Sequence, residues 1–277
     1  MPELDLSAGT IAYEDTGGDG PVVVLLHGLA MDGTVWRHVV AELRGEHRCV
    51  VPTLPLGAHR TPMKPDADLS LRGLAALVAE LLAALDLRDV TLVGNDWGGA
   101  QLLIGDDRVG RLVLVACEAF DNYPPGLPGH MLRYATLVPG GFTMLAKSLG
   151  VRPLRRTPMA IGWMSKRPVP VDVVDRWFEP LRTDPAIRRD VAKYVRQARK
   201  RYMVAATDRL RTFTRPALVV WAPEDKIMPP EQGKRLADLL PDGRLVEIDD
   251  SYTLIPEDQP KALSAAIRSF VGETVSR

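Results

Sequence analysis

The stretch that decides the fold is residues 90–100, which read Val-Thr-Leu-Val-Gly-Asn-Asp-Trp-Gly-Gly-Ala. The first four residues are typical of a strand that is buried on both faces, and a helix-like segment follows the glycines. Glycines two positions before and two positions after Asp96 permit a turn that is too sharp for most side chains. The pattern predicts that Asp96 projects above the end of a strand, close to the first N–H groups of the next helix. A tight turn in which Asp96 only caps that helix is the alternative.

Short apolar runs alternate with longer amphipathic segments on either side of this stretch. The clearest amphipathic segment covers residues 69–87, with Ser70 as its predicted N-cap. This alternation is typical of an α/β protein with a mostly parallel sheet and helices on both faces. The runs predicted as buried strands are residues 22–26, 49–51, 90–93, 111–115, 217–221 and 245–248.

The alternation stops between residues 118 and 207, where no strand-like run occurs. A stretch rich in proline and glycine at residues 122–129 is followed by several helical patterns that prolines separate. Both ends of this block join the same predicted sheet. We therefore predict a single domain over residues 1–277, with an inserted helical cap (lid) at residues 118–207 above the carboxyl edge of the sheet. A separate helical domain is the alternative.

Composition and charge narrow the classes of partner. Of the 277 residues, 46% are hydrophobic and 25% are charged, as in an ordinary soluble globular protein. The 35 basic and 35 acidic residues cancel, which leaves no overall field to attract nucleic acid or an anionic membrane. The N-terminus lacks the pattern of a secretory signal, and no apolar run approaches the roughly 20 residues of a membrane span. We therefore expect a cytoplasmic protein that acts on a small molecule and binds neither nucleic acid nor membranes.

The side chain at the centre of the turn determines the predicted chemistry. A carboxylate such as that of Asp96 is already ionised near neutral pH and needs no base to become a nucleophile. It suits displacement at an alkyl carbon, which gives an alkyl ester of the protein. It suits acyl transfer poorly, because an anhydride would result. No group of His, Cys or Asp with metal-ligand spacing and no Gly-x-Gly-x-x-Gly pattern occurs, so we expect neither a metal nor an organic cofactor.

These motifs resemble the α/β-hydrolase fold family, in particular its haloalkane dehalogenase and epoxide hydrolase branch. The resemblance extends over nearly the whole chain. Residues 26–30 look like the oxyanion-side loop of that family, and residues 106–114 look like the approach to its sixth strand. Residues 221–229 resemble the loop that supplies the acid of the catalytic triad, here Asp225. The resemblance implies an α/β-hydrolase fold in which Asp96 is the nucleophile.

The same resemblance suggests roles for several neighbours of Asp96. Backbone N–H groups near Leu29 and Trp97 would hold the leaving group or the carboxylate. His27 precedes them at a position that is usually structural in the family. Glu118 and Asp121 follow the sixth strand, where some members keep their triad acid, although capping of the loop is the alternative for both.

One departure from the family is serious, because the triad histidine is missing. The expected position is occupied by Thr253, or by Tyr252 if the register is shifted by one residue. Neither side chain is a general base at neutral pH. His27 and His130 are the candidate replacements. If neither serves, the ester should form while its hydrolysis is slow.

The choice between the two branches depends on the groups that face the leaving atom. A halide needs two N–H donors, and the asparagine that often supplies the second is here Leu29. An epoxide needs acidic hydroxyls in the cap, and the candidates are Tyr123, Tyr134, Tyr194 and Tyr202. The sequence therefore favours an epoxide over a carbon–halogen bond. A non-hydrolytic isomerase, cyclase or lyase that uses Asp96 as an acid or base, and a non-catalytic ligand-binding protein, are the alternatives.

Overall fold

An eight-stranded sheet lies at the centre of the computed structural model, which describes residues 1–158 and 160–275. The strands are β1 (Glu3–Leu6), β2 (Gly9–Asp15), β3 (Val22–Leu26), β4 (Arg48–Pro52), β5 (Val90–Asp96), β6 (Val109–Cys117), β7 (Ala217–Trp221) and β8 (Gly243–Glu247). Their order in the sheet is β1-β2-β4-β3-β5-β6-β7-β8. Strand β2 pairs antiparallel with both β1 and β4, and every pair from β4 to β8 is parallel. The α/β class and the mostly parallel sheet agree with the prediction.

The burial of the strands explains which of them the sequence reveals. Every residue of β5 is buried, and so is every residue of β7. A strand covered on both faces is read as a continuous apolar run. The hairpin of β1 and β2 was not predicted. It lies at the sheet edge, where the residues of β1 alternate between exposed and partly buried and most residues of β2 are only partly buried. Its two strands therefore lack the continuous apolar run by which the other strands are recognised.

Helices cover both faces of the sheet. They are α1 (Arg37–Leu43), α2 (Leu71–Ala84), α9 (Pro230–Leu239), α10 (Ile255–Asp258) and α11 (Pro260–Val275). The prediction that Ser70 is the N-cap residue of α2 is confirmed, since its Oγ accepts a hydrogen bond of 3.1 Å from the Gly73 N–H. The segment after Asp96 differs from the expected α-helix: Gly98–Gly105 is a 3-10 helix, like the short segments Gly33–Trp36 and Leu210–Thr212. It ends at Gly105, where the chain turns towards β6.

Between β6 and β7 the described residues contain helices and no strand. These helices are α3 (Gly126–Leu137), α4 (Gly141–Ser148), α5 (Arg152–Arg155), α6 (Val171–Thr183), α7 (Pro185–Gln197) and α8 (Lys200–Arg209). Helix α3 packs against α4 and α7, whereas α8 packs against the 3-10 helix after Asp96. Across residues 1–158 and 160–275, no helix has the length and hydropathy needed to cross a membrane.

Candidate active site

The backbone at the end of β5 turns sharply at Asp96, whose φ is 63°. A side chain other than glycine in this left-handed region is strained, and such strain is concentrated at functional sites. The turn is held by the Trp97 N–H, which donates to the Asn95 carbonyl at 2.7 Å, and by the Glu118 N–H, which donates to the Asp96 carbonyl at 3.0 Å. A Cβ at Gly94 would lie only 2.9 Å from Ala100 Cβ, so the turn needs a glycine there. The result is a carboxylate that projects from the carboxyl edge of the sheet.

One oxygen of the Asp96 carboxylate is fixed by the backbone. The Leu29 N–H donates to Oδ2 at 3.0 Å, and a Cβ at Gly28 would lie 2.0 Å from the same oxygen. The side chain is only 7% exposed. Its pKa is raised from 3.8 to about 7, mainly by burial and in smaller part by the negative charge of Asp225, while the Leu29 hydrogen bond lowers it. Asp96 is therefore present in both its neutral and its ionised form near pH 7.

Asp96 opens into a cavity of about 170 Å³ below the helices that follow β6. The walls come from the loop at Leu29, from residues 123–133, and from α4, α6 and α7. Most of the lining is apolar. The lining residues with titratable side chains are Asp96, Glu118, Tyr123, Arg133 and Tyr194. An apolar cavity with a few converging polar groups is the usual form of a small-molecule site.

Glu118 is a second carboxyl group in the wall of this cavity. It directly follows β6, and its Oε2 accepts a hydrogen bond of 3.3 Å from the Gly98 N–H. The Gln101 amide donates to its backbone carbonyl at 2.6 Å, which fixes the loop. Burial raises the pKa of Glu118 well above its ordinary value, and the charge of Asp96 raises it further. Glu118 is therefore protonated more readily than an ordinary glutamic acid, beside the ionisable Asp96.

Two tyrosines face the same cavity. Tyr123 precedes α3 and Tyr194 lies on α7, and a hydrogen bond joins their hydroxyls. Both side chains are buried. Burial is the main cause that raises the pKa of each, and the charge of Glu118 adds to it. Because a single O–H is used between the two hydroxyls, the other O–H is available to a ligand.

Asp225, on the loop after β7, is bonded to the residue at the expected histidine position. Its Oδ1 accepts hydrogen bonds from the N–H groups of Ile227 at 2.8 Å and Met228 at 2.9 Å, and from Thr253 Oγ1 at 2.9 Å. Burial is the largest cause that raises the pKa of Asp225 to about 6. Asn95 joins the segment of Thr253 to the turn at Asp96, since its side-chain amide donates to the Thr253 carbonyl at 2.8 Å. The buried carboxyl group of Asp225 is thus paired with the hydroxyl of Thr253.

His27 takes the structural role that is usual for its position and not that of a replacement base, and Trp97 does not contact the Asp96 carboxylate. The His27 ring bonds the Gly28 carbonyl at 2.8 Å and accepts from the Leu54 N–H at 2.8 Å, outside the cavity lining. Its burial lowers its pKa to about 4, so it serves as a neutral brace between loops. The backbone N–H of Trp97 bonds Asn95 and does not reach the Asp96 carboxylate. The Trp97 indole lies against Gly99, and its N–H has no partner among the described residues.

Five further predicted residues lie away from the cavity lining. His130 and Asp121 are exposed, and Lys200 lies 3.6 Å from the Asp121 carboxylate. Tyr134 is 71% exposed on the outer side of α3. The ring of Tyr202 is stacked by Arg201 and Arg72, and that of Tyr252 by Lys226 and Lys166. None of these five side chains is positioned to act on a ligand beside Asp96.

Three residues of the site were not assigned a role from the sequence. Gly28 admits the carboxylate, Asn95 joins the two loops through its amide, and Arg133 lines the cavity from α3. Gly28 and Asn95 could have been noticed in the sequence, because each is adjacent to a residue of a predicted motif. The contacts that each makes are visible only in the folded structure. Within residues 1–158 and 160–275 no three His, Cys, Asp or Glu side chains form a group that could hold a metal ion.

Comparison with known proteins gives matches over nearly the whole chain. A model of the alpha/beta hydrolase family matches residues 23–266. The chain is 28% identical to a cis-3-alkyl-4-alkyloxetan-2-one decarboxylase of Xanthomonas campestris, over 97% of this chain and 94% of that protein. It is 25% identical to a haloalkane dehalogenase of Mesorhizobium japonicum, over 99% and 91%.

Solved structures show the same relationship. An alpha/beta hydrolase fold protein of Burkholderia ambifaria matches with a TM-score of 0.78 and 26% identity, and the match covers 96% of each chain. A protein described as an ancestral haloalkane dehalogenase matches with a TM-score of 0.82, over 100% of both chains. At 20% identity the second likeness concerns the fold alone.

Proposed function

The chain belongs to the alpha/beta hydrolase family, and on that basis we propose that it opens an epoxide of a small or medium apolar substrate by attack of Asp96. One observation carries the proposal. Asp96 Oδ2 is fixed by the Leu29 N–H while the carboxylate faces an apolar cavity that also holds two hydrogen-bonded tyrosines. We further propose that residues 118–207 form the cap that encloses the substrate.

The first step uses the second carboxylate oxygen of Asp96. Because Leu29 holds Oδ2, Oδ1 is free to form a bond to a ring carbon while the carbon–oxygen bond of the epoxide breaks. The one O–H of the Tyr123–Tyr194 pair that is not used between the two hydroxyls donates a hydrogen bond to the departing ring oxygen. Their raised pKa values keep both hydroxyls protonated, so they stabilise the oxygen without losing their protons.

Glu118 carries out the proton transfers of the reaction, including the activation of water for which the chain has no histidine at position 253. It is neutral while Asp96 is charged, and it passes its proton to the ring oxygen as the ester of Asp96 forms. Esterification removes the negative charge of Asp96. The pKa of Glu118 therefore falls, and its carboxylate form is favoured after it has given up its proton. That carboxylate then accepts a proton from the water that attacks the ester carbonyl. As the ester carbon–oxygen bond breaks, the second proton of that water passes to the departing alkoxide oxygen. The diol leaves, Asp96 is again a carboxylate, and Glu118 is again protonated.

The same geometry argues against a halide as the leaving group. Halide release needs N–H donors that converge on the ion. The Leu29 N–H is occupied by Asp96, and the N–H groups of Trp97 lie outside the cavity lining. The tyrosine hydroxyls suit an oxygen that becomes an alcohol. The epoxide is therefore the better-supported substrate, although relatives of this chain are named haloalkane dehalogenases.

A second candidate function is a reaction that needs no water at all. Thr253 stands where the water-activating histidine would be, and a 28% identical relative is named for decarboxylation of a cis-3-alkyl-4-alkyloxetan-2-one. Loss of carbon dioxide from such a four-membered lactone breaks two ring bonds and leaves an alkene, without hydrolysis. In this case the strained ring is an oxetanone, and Asp96 acts on it in the same apolar cavity.

Rapid-quench kinetics with styrene oxide, 1-bromohexane and a cis-3,4-dialkyl oxetan-2-one test the proposal. We expect ring opening of styrene oxide with a burst of one equivalent, followed by slower release of the diol. Glu118→Gln should slow the burst, because the ring oxygen loses its proton donor, and it should slow diol release by about 10²–10⁴-fold, the usual cost of losing a general base. Asp121→Asn is the matched control on the same loop, and it should leave both phases unchanged.

Other products would decide against the proposal. Bromide release without epoxide opening would make the protein a dehalogenase. Formation of an alkene and carbon dioxide from the oxetanone, with no diol from styrene oxide, would support the second candidate. Diol release by Glu118→Gln at the wild-type rate would remove Glu118 from the mechanism.

A further inference from the structure

Large apolar side chains are exposed on one part of the surface. Ten such side chains are exposed among the described residues, and eight of them lie between residues 127 and 154. On α3 they recur at the spacing of one helix face. The set that we call the α3–α4 face consists of Leu127, Met131, Tyr134, Leu137, Val138 and Met144. Tyr134, Leu137 and Met144 are 71%, 65% and 74% exposed, so this face has no partner among the residues that the structure describes.

The segment that contains these helices, residues 122–171, carries charge of one sign only. Residues 122–171 contain no Asp or Glu, but seven Lys and Arg. Arg152, Arg155, Lys166 and Arg167 are paired with acids from outside the segment. Exposed Lys147 and Arg156 have no ion pair within the described residues, and they lie in and beyond α4. Although the net charge of the whole chain is zero, the apolar surface of α3 and α4 therefore has unpaired basic residues in the same segment.

The opposite side of these two helices lines the cavity. Leu132 on α3 and Phe142 and Leu145 on α4 face the space above Asp96. Met131 belongs to both surfaces, since it lines the cavity and is 39% exposed. The cavity and the α3–α4 face are thus separated by one layer of helices, with Met131 at the boundary between them.

We propose that the α3–α4 face binds the surface of an anionic lipid bilayer. Apolar side chains beside unpaired cations are the composition of an interfacial helix, which buries its apolar side at the lipid headgroups while its cations contact anionic lipids. Pairing of the same face from two copies would bring the unpaired Lys147 of each copy, on α4, towards the other, and like charges that no acid neutralises oppose self-association. This proposal differs from the expectation that the protein binds no membrane. That expectation was based on the net charge of the whole chain, which does not show how charge is distributed over the surface. An apolar substrate dissolved in the bilayer would reach Met131 directly.

Vesicle flotation tests the proposal with the full chain. Wild-type protein should float with vesicles of phosphatidylcholine and phosphatidylglycerol (3:1), and much less with phosphatidylcholine alone or in 1 M NaCl. The double variant Leu137→Ser/Met144→Ser changes no charge and removes exposed apolar area, so its partitioning should fall by roughly tenfold or more. Val171→Ser is the matched control, because Val171 is 52% exposed outside this face. Circular dichroism verifies that each variant is folded.

The chemistry at Asp96 and the lipid surface are tested separately. Asp96→Asn should float like the wild type, whatever its activity. Failure of the wild type to bind anionic vesicles would overturn the proposal, and so would equal binding by the double variant. Concentration-dependent dimerisation in analytical ultracentrifugation that the double variant abolishes, without vesicle binding, would make the face a contact between copies instead.

Discussion

Replacing Asp96 with Asn should stabilise the protein, and the effect should depend on pH. Folding raises the pKa of this carboxyl from 3.8 to about 7, mainly by burial. An acid with a raised pKa favours the folded state only when it is neutral. The cost of folding with Asp96 ionised therefore begins above pH 3.8, grows up to about pH 7 and is constant beyond it. Asparagine keeps an oxygen for the Leu29 N–H and carries no charge.

The size of the effect follows from the shift. At about 1.4 kcal/mol per pKa unit, the shift of roughly three units corresponds to about 4 kcal/mol. Asp96→Asn should thus raise the free energy of unfolding by about 3–4 kcal/mol at pH 8 and above, and by close to zero near pH 4. At roughly 2 °C per kcal/mol for a long chain, the midpoint of thermal unfolding should rise by about 6–8 °C at pH 8.

Urea denaturation between pH 4 and pH 9 measures this difference directly. Asp121→Asn is the control, because Asp121 is exposed and only distantly paired with Lys200. Its stability curve should run parallel to that of the wild type. Equal stability of Asp96→Asn and wild type at pH 9, or a difference that persists unchanged at pH 4, would refute the reasoning about Asp96.

Three other substitutions test the supporting contacts. Gly28→Ala places a methyl group 2.0 Å from Asp96 Oδ2 and should abolish ester formation while the protein stays folded, as judged by circular dichroism and rapid-quench assays. Thr253→Val removes one donor from the buried Asp225 carboxylate, and it should lower the free energy of unfolding in urea by about 1–3 kcal/mol and raise the pKa of Asp225. Tyr194→Phe removes one hydroxyl from the cavity and should slow the burst with styrene oxide by about 10²-fold, measured at saturating substrate.

Matched variants separate these effects from general damage. Gly45→Ala adds the same methyl group where no atom lies within 4 Å, and it should leave ester formation intact. Thr253→Ser keeps the hydroxyl and should preserve most of the stability. Tyr134→Phe alters a tyrosine that is 71% exposed and should not change the burst. Wild-type burst rates in Tyr194→Phe or in Gly28→Ala would remove the corresponding contact from the account.

The sequence was sufficient for the centre of the fold because burial there is uniform. The strand that leads to Asp96 is buried along its whole length, so its apolar run and the glycines around Asp96 carry the prediction without any tertiary information. The N-terminal hairpin lacks that signal, since water reaches part of each strand. The 3-10 form of residues 98–105 was likewise not indicated, because apolar spacing alone does not separate it from a short α-helix.

The composition of the site could be read only in part, since side-chain direction is set by packing between distant segments. Four tyrosines were candidates, but only Tyr123 and Tyr194 meet, from positions separated by most of the helical block. Tyr134 lies on the outer side of its helix. His27 was a candidate base, yet both of its nitrogens are used to join backbone segments. The role proposed for Glu118 depends on its burial beside Asp96, which no local pattern reports.

Localisation of a trapped ester tests the central claim most directly. Glu118→Gln protein is incubated with styrene oxide, quenched in acid and digested, and the peptides are analysed by tandem mass spectrometry. The account predicts that one styrene oxide mass is attached to the Asp96 side chain, and that the Asp96→Asn/Glu118→Gln double variant carries none. Attachment to another residue, or opening of styrene oxide by the wild type with no adduct on Asp96 in either protein, would contradict nucleophilic attack by Asp96.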